Sequence, residues 1–260
     1  MKENFDLCLS YVLGHEGGYS DHPNDAGGKT NHGVIQSVYD SYRRRKGLIP
    51  RHVQQITMGE IKEIYKTLYW DKIVGDELPA GIDYCVFDAA VNSGPSRGAR
   101  WLQQAINIRA GAARLKVDEN VGPSTLDASD DYDAIGLIDA MLDLRVGFMR
   151  TAKNTKTGAA LWPSFGRGWT NRLYGYLRPG AAEAARQADG VDDKAKALAR
   201  KAVRGTSPVA PDAVKAPGLP VPYKYPIPET PKQPQNGAPG WVIALIAAIA
   251  AILGVVQWQH

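Results

Sequence analysis

Apolar residues recur at helical spacing through most of the chain, and glycine-rich polar stretches interrupt them. Phe5, Leu9, Val12 and Leu13 fall at i, i+4, i+7 and i+8, one face of a helix ending near Glu16. Thr57-Met58-Gly59-Glu60 has the form of a capping box, and Ile61, Ile64 and Leu68 follow on one face. Residues 80–92 are apolar enough for a central buried helix. Ser96 is a candidate cap for a helix carrying Ala99, Leu102 and Ile106. Ala134, Ile138, Met141, Leu142, Arg145 and Phe148 mark another. Only residues 17–36, with four glycines in 17–28, predict strands, as one small hairpin. The expected fold is mainly α with a minor β element beside Glu16. The chain shows no internal repeat.

The pattern changes after about residue 180. Residues 181–206, rich in Ala, Lys, Arg and Asp, predict a loose polar helix. Residues 207–240 hold ten of the seventeen prolines, a density that favours an extended, semi-rigid spacer over a packed core. Trp241 to Trp258 then contains no charged residue. As a helix its eighteen residues span roughly 27 Å, near the thickness of a bilayer core, with a Trp at each interface. A C-terminal transmembrane helix over 241–258 is the expectation, against a buried helix packed on the body. Lys224 and Lys232 precede it and only His260 follows, so the positive-inside rule starts the body in the cytoplasm. Met1–Asp6 carries no apolar signal region, so action beyond the inner membrane calls for another exit route.

Composition narrows the picture little. A net charge of +4 favours an anionic polymer or membrane surface and does not single out nucleic acid. Arg43-Arg44-Arg45-Lys46, the one dense basic run, reads as a solvated helix end. Cys8 and Cys85 sit among apolar residues and read as buried thiols, neither a disulfide framework nor a zinc site. His15, His22 and His32, with Asp21 and Asp25 nearby, match no common ligand spacing, so no metal or organic cofactor is expected.

Candidate chemistry concentrates in residues 14–33. A carboxylate, Glu16, ends an apolar helix, where burial raises its pKa and suits it to general-acid work. Gly17 and Gly18 let the chain turn and leave room for a bulky ligand. Asp25 follows within turn chemistry, Pro23-Asn24 before it and Gly27-Gly28 behind. A hairpin there brings Asp25 to face Glu16 across a cleft, where it and the Thr30 hydroxyl can hold a water. Read singly, Glu16 is an exposed helix end and Asp25 a turn former.

Glu16-Gly17-Gly18-Tyr19, Pro23-x-Asp25-x-Gly27-Gly28-x-Thr30 and Asn31-His32-Gly33-Val34 resemble the signature of glycoside hydrolase family 108. Those are lysozyme-like N-acetylmuramidases of phages, prophages and some secretion loci. Tyr69-Trp70-Asp71, Leu78-Pro79, Phe87-Asp88-x-Ala90-Val91-Asn92-x-Gly94, Leu102-Gln103-Gln104 and Val121-Gly122-Pro123-x-Thr125-Leu126 extend the likeness. Gly168-Trp169-x-Asn171-Arg172 resembles the end of a following peptidoglycan-binding part, so the likeness covers roughly residues 5–178. It implies a lysozyme-like catalytic domain over 1–95 and a helical peptidoglycan-binding subdomain over 96–180, to which composition adds a linker over 181–240 and an anchor over 241–258.

The resemblance further implies cleavage of the β-1,4 bond between N-acetylmuramic acid and N-acetylglucosamine, with Glu16 as the essential acid. Asp25 and Thr30 are similar to the Glu–Asp–Thr set of T-even phage lysozymes, where water attacks with inversion. Here the Thr stands one residue closer, and Val34 replaces the usual Ile. Where family members often have Asp-Gly, this chain reads Asp118-Glu119-Asn120, and Asn is expected to keep the left-handed turn. Tyr19 and Trp70 are candidate sugar platforms and Asn92 a candidate partner of an acetamido group. Trp101, Trp162 and Trp169 could stack in the same way, but core packing is the favoured reading of all four Trp, and a helix cap weighs equally for Asn92. Asn171 and Arg172 suit peptide-stem carboxylates or a structural role. Expected partners are glycan strands of peptidoglycan, the membrane through the C-terminal helix, and a holin. The setting expected is association with the inner membrane through the C-terminal anchor, with action on the periplasmic wall. Two other readings stay open: a lytic transglycosylase, which closes an anhydro ring without water, and a non-catalytic tethered scaffold.

Overall fold

The computed structural model describes residues 4–20, 29–154, 157–175 and 190–205. The expected Asp25, the Pro-rich spacer and the expected membrane helix over 241–258 lie outside those residues. Among the described residues no helix is long and apolar enough to cross a membrane.

The described chain is mainly helical with one small antiparallel sheet, consistent with the lysozyme-like architecture expected. Helix α1 (Phe5–Leu13) buries Phe5, Cys8, Leu9 and Val12. Strands β1 (Thr30–Asn31) and β2 (Val34–Ile35) pair Thr30 with Ile35 and Asn31 with Val34. The two residues between them, His32 and Gly33, have φ of 48° and 75°, the positive values a type I′ hairpin turn requires. Helix α2 (Gln36–Arg45) follows directly.

Helix α3 (Met58–Tyr65) starts at the expected capping box. Glu60 N–H donates to Thr57 Oγ1 (3.3 Å) and Thr57 N–H donates to the Glu60 carboxylate (2.9 Å). The same carboxylate accepts from Tyr39 Oη (2.9 Å) and pairs with Arg43 (2.7 Å) and Arg51. Arg43 is therefore buried, not part of a solvated run, because α2 turns it onto a carboxylate that also needs charge compensation.

Helix α4 (Ile82–Ser93) is buried along all twelve residues. Helices α5 (Pro95–Ala110), α7 (Ala134–Thr151) and α9 (Val191–Gly205) pack on it, with α6 (Pro123–Asp130) against α5 and α8 (Trp162–Tyr174) against α7 and α9. An all-round apolar surface is what such a central position demands. Helix α5 begins one residue before the expected Ser96: Gly94 takes the cap position at φ 89° and Pro95 opens the first turn. The turn over 118–120 survives, but Glu119 rather than Asn120 is left-handed, at φ 69°. Gln103 secures it, accepting from the N–H groups of Asp118 (3.1 Å) and Glu119 (3.0 Å) and donating to Asn120 O (2.9 Å).

The polar helix expected within 181–206 is α9, and it is not loose. Val191, Ala195, Leu198 and Ala199 form a buried stripe against α4, α7 and α8. Its approach to the start of α4 depends on Gly81, at φ 88°. A Cβ there would lie 2.3 Å from Ala195 O. Gly81→Ala is expected to combine left-handed strain with this clash and lower stability by roughly 2–4 kcal/mol. Chemical denaturation measures it, and an unchanged midpoint would remove α9 from the folded core.

Candidate active site

Three backbone hydrogen bonds carry the chain off the end of α1: Gly14 N to Ser10 O (3.1 Å), His15 N to Val12 O (2.9 Å) and Glu16 N to Leu13 O (3.2 Å). The helix proper ends at Leu13, three residues earlier than its apolar pattern suggests, and this last turn places Glu16 inward. Glu16 is 8% exposed, so the reading of a solvated helix end is excluded. Gly18 follows with open space where a side chain would stand.

The hairpin supplies one wall. A Cβ on Gly33 would lie 3.3 Å from Glu16 Oε2 and 2.4 Å from the Tyr65 hydroxyl. Only glycine permits this approach, and its positive φ is needed for the turn as well. Tyr65 Oη donates to His32 O (3.0 Å), fastening the turn to α3. Thr30 is buried on β1, and its backbone exchanges two hydrogen bonds with Ser20 (2.8 and 2.9 Å). These bonds tie together the two ends of the segment containing Asp25, which itself lies outside the described residues.

The opposite wall is ionic. Arg172, from α8, donates through Nη1 to Glu16 Oε1 (3.0 Å) and through Nε to Asp88 Oδ1 (3.0 Å). Its Nη2 lies 2.8 Å from the same Asp88 oxygen without the alignment of a hydrogen bond. Arg145, from the buried stripe of α7, donates to Asp88 Oδ2 (2.8 Å). Asp88 and Arg145 are fully buried and Arg172 is 7% exposed. Burial alone would raise the Asp88 pKa, but Arg172 and Arg145 hold it well below the usual carboxylate range. For Glu16 the balance reverses: burial raises its pKa above the ordinary 4.5, Arg172 opposes this, and Asp88 adds to it. The Tyr65 and Tyr69 hydroxyls are pushed up by burial and by the Glu16 charge, Tyr69 to about 12. The arrangement offers a sheltered carboxyl that holds its proton more tightly than a free Glu, beside a guanidinium ready to receive the charge when that proton leaves.

Two of the sugar-contact candidates stay in play. Tyr19 is exposed, its ring 5.9 Å from that of His52, which is fixed by accepting from Gln54 N–H at Nδ1 (3.2 Å). Asn92 stands one turn after Asp88 on the same face of α4, is buried, and its Nδ2 has no partner among the described residues. Trp70 is a correction. It has no exposed surface, packs at 5.3 Å from Phe5 and 5.2 Å from Phe87, and donates to Asp76 (3.0 Å). A ring with no exposed surface cannot stack on a sugar. Trp101 and Trp169 are likewise buried.

From the sequence, Arg172 reads only as a ligand for peptide carboxylates or as a structural residue, and Asp88 and Arg145 carry no role. The available signal was a charge inside each of two apolar stripes, Asp88 in 80–92 and Arg145 in 134–148, since buried charges demand partners.

Glycosyl hydrolase 108 is the family whose model matches the chain, over residues 9–94, a span that holds Glu16, Thr30 and Asp88. The solved structure of Brucella abortus SagA is similar to it at 30% identity and a TM-score of 0.57, covering 77% of this chain and 98% of that one. No curated protein matches.

The Glu16 environment generates a stability prediction. Because its folded pKa lies above 4.5, the folded state holds this proton more tightly than the unfolded chain. The resulting stabilisation is full below the unfolded pKa and is lost as pH rises through the folded value. Glu16→Gln removes that dependence. Its melting temperature relative to wild type should therefore climb as pH is raised from 4 towards 7, and a constant difference would contradict the burial argument. Asp88 has the opposite sign: its contribution is present above its unfolded pKa and is lost only as pH falls through its depressed folded value.

Proposed function

The chain belongs to glycosyl hydrolase family 108, and from that premise we propose that it is a lysozyme-type N-acetylmuramidase. It acts on peptidoglycan, at the β-1,4 bond between N-acetylmuramic acid and N-acetylglucosamine. The observation that carries this reading is the Glu16 carboxyl, buried at the edge of the hairpin and, among the described residues, gripped through Oε1 by Arg172. Because Oε1 accepts from Arg172, the acid proton resides on Oε2, the oxygen beside Gly33.

Glu16 Oε2 donates this proton to the glycosidic oxygen as oxocarbenium character develops in the sugar. The charge left on the carboxylate is met by Arg172, already at hydrogen-bond distance, so the site needs little rearrangement as charge appears. Asp25, with Thr30, holds the attacking water on the opposite face, which gives inversion. Tyr19 stacks on a sugar, and Asn92 uses its Nδ2, which has no partner among the described residues, for an acetamido carbonyl. The expected peptidoglycan-binding part, 96–180, includes both arginines of the acid's surroundings.

We also propose that Trp241–Trp258 tethers the enzyme to the inner membrane before it acts on the periplasmic wall, with a holin as the lysis partner. The uncharged run and its flanking Trp residues support this. Deletion of residues 241–260 is expected to move the protein from the membrane to the soluble fraction and leave hydrolysis of isolated sacculi unchanged. Persistence in the membrane fraction would refute the tether.

Muropeptide analysis tests the chemistry. Wild type should release fragments one water heavier than anhydro products, and Glu16→Gln should lower that release by about 10²–10⁴-fold. Anhydro products would instead identify a lytic transglycosylase. Wild-type-like lysis by the variant would remove Glu16 from the mechanism.

A further inference from the structure

A general acid beside an arginine poses a problem. A guanidinium 3.0 Å from Glu16 Oε1 favours the ionised carboxylate, and an ionised carboxylate has no proton to give. The contacts of Arg172 resolve it. Two of its nitrogens face Asp88 and one faces Glu16. We propose that Asp88 is a positioning residue that keeps Glu16 in its acid form, by engaging the Arg172 guanidinium from the side away from the substrate. This rests on the reading of Glu16 as the acid.

Asp88 does two things at once. Its negative charge offsets that of Arg172 as felt at Glu16, and its hydrogen bond to Nε, with Nη2 turned to the same side, leaves Nη1 to reach Oε1. Arg145 keeps Asp88 charged in a fully buried position, donating to the Asp88 oxygen that Arg172 does not use. Without Arg145, one guanidinium would be divided between two buried carboxylates, and Asp88 would be the more exposed to protonation.

Among the described residues, the other groups around the pair do not share this role. Tyr65 and Tyr69 face Glu16, and burial pushes both hydroxyls up, so they stay neutral. Tyr84 and Cys85 lie near Asp88 on α4 and are pushed up in the same way, Cys85 to about 12. His15 adds a positive field at Asp88. Asp88 is thus the buried anion that faces both the arginine and the acid.

The test uses the full chain with carboxyl-labelled Glu, the Glu16 signal being assigned by its loss in Glu16→Gln. Asp88→Asn keeps the shape and removes the charge. Asp88→Asn/Arg145→Met removes one charge of each sign, which spares the fold an unpaired buried guanidinium and decides the matter if the single variant does not fold. In each folded variant Glu16 is expected to titrate about one pH unit or more below wild type. The alkaline limb of kcat/KM moves with it, so that activity falls at least about tenfold more at pH 7 than at pH 5.

An unchanged Glu16 titration, or a loss of activity equal at every pH, overturns the proposal. Wild type supplies an arm that needs no substitution: with labelled Asp as well, Asp88 must lose its proton well below Glu16, and the reverse order overturns the proposal too. The carboxyl titration does not depend on turnover. A wild type that releases no muropeptides would therefore sink the hydrolase reading while leaving this measurement interpretable.

Discussion

One arginine divided between two buried carboxylates organises the site. Arg172 comes from α8, Asp88 from the central α4, and Glu16 from the turn after α1. Four ionisable groups with almost no access to water can coexist only if each is compensated, because an unpaired charge in such surroundings costs several kcal/mol. The pairing chain runs from Arg145 to Asp88 to Arg172 to Glu16, and it ends at the one member that borders the hairpin. Charge compensation thereby links the helical body to the Glu16 carboxyl. It also makes helices distant in sequence part of that carboxyl's immediate surroundings.

The hairpin answers the other half of the problem. The second carboxylate oxygen, Glu16 Oε2, has the turn at His32–Gly33 as its boundary, and Gly33 permits this because it has no side chain to collide with Tyr65 or crowd the carboxyl. Tyr65 fastens the turn through its hydroxyl, so the boundary is held by α3. Thr30, three residues before Gly33, is set in the same small sheet, and its pairing with Ser20 anchors the segment that carries Asp25. Two short strands suffice because they are braced on helices rather than on a larger sheet.

Local patterns were legible where a local cause acts. The α3 capping box, the α1 stripe, the buried run of α4 and the glycines of the hairpin could be read because neighbours within a few residues decide them. Misreadings arose where a distant partner decides. Arg43 looked like part of a solvated basic run until α2 turned it towards Glu60. Trp70 looked like a sugar platform until Phe5 and Phe87 enclosed it. Helix α9 looked loose because its stripe is short and alanine-rich. Small residues are what a close approach to Gly81 and α4 requires.

The sequence by itself determined the helical character of the body, the place of the hairpin, and the carboxyl at the end of α1. These follow from periodicity, turn chemistry and motif spacing, all short-range properties of a chain. Tertiary structure alone decided the state of that carboxyl. Glu16 is separated from Asp88 by 72 positions and from Arg172 by 156. Electrostatic energy depends on distance in space and on the water excluded between charges, and neither quantity is written along the chain.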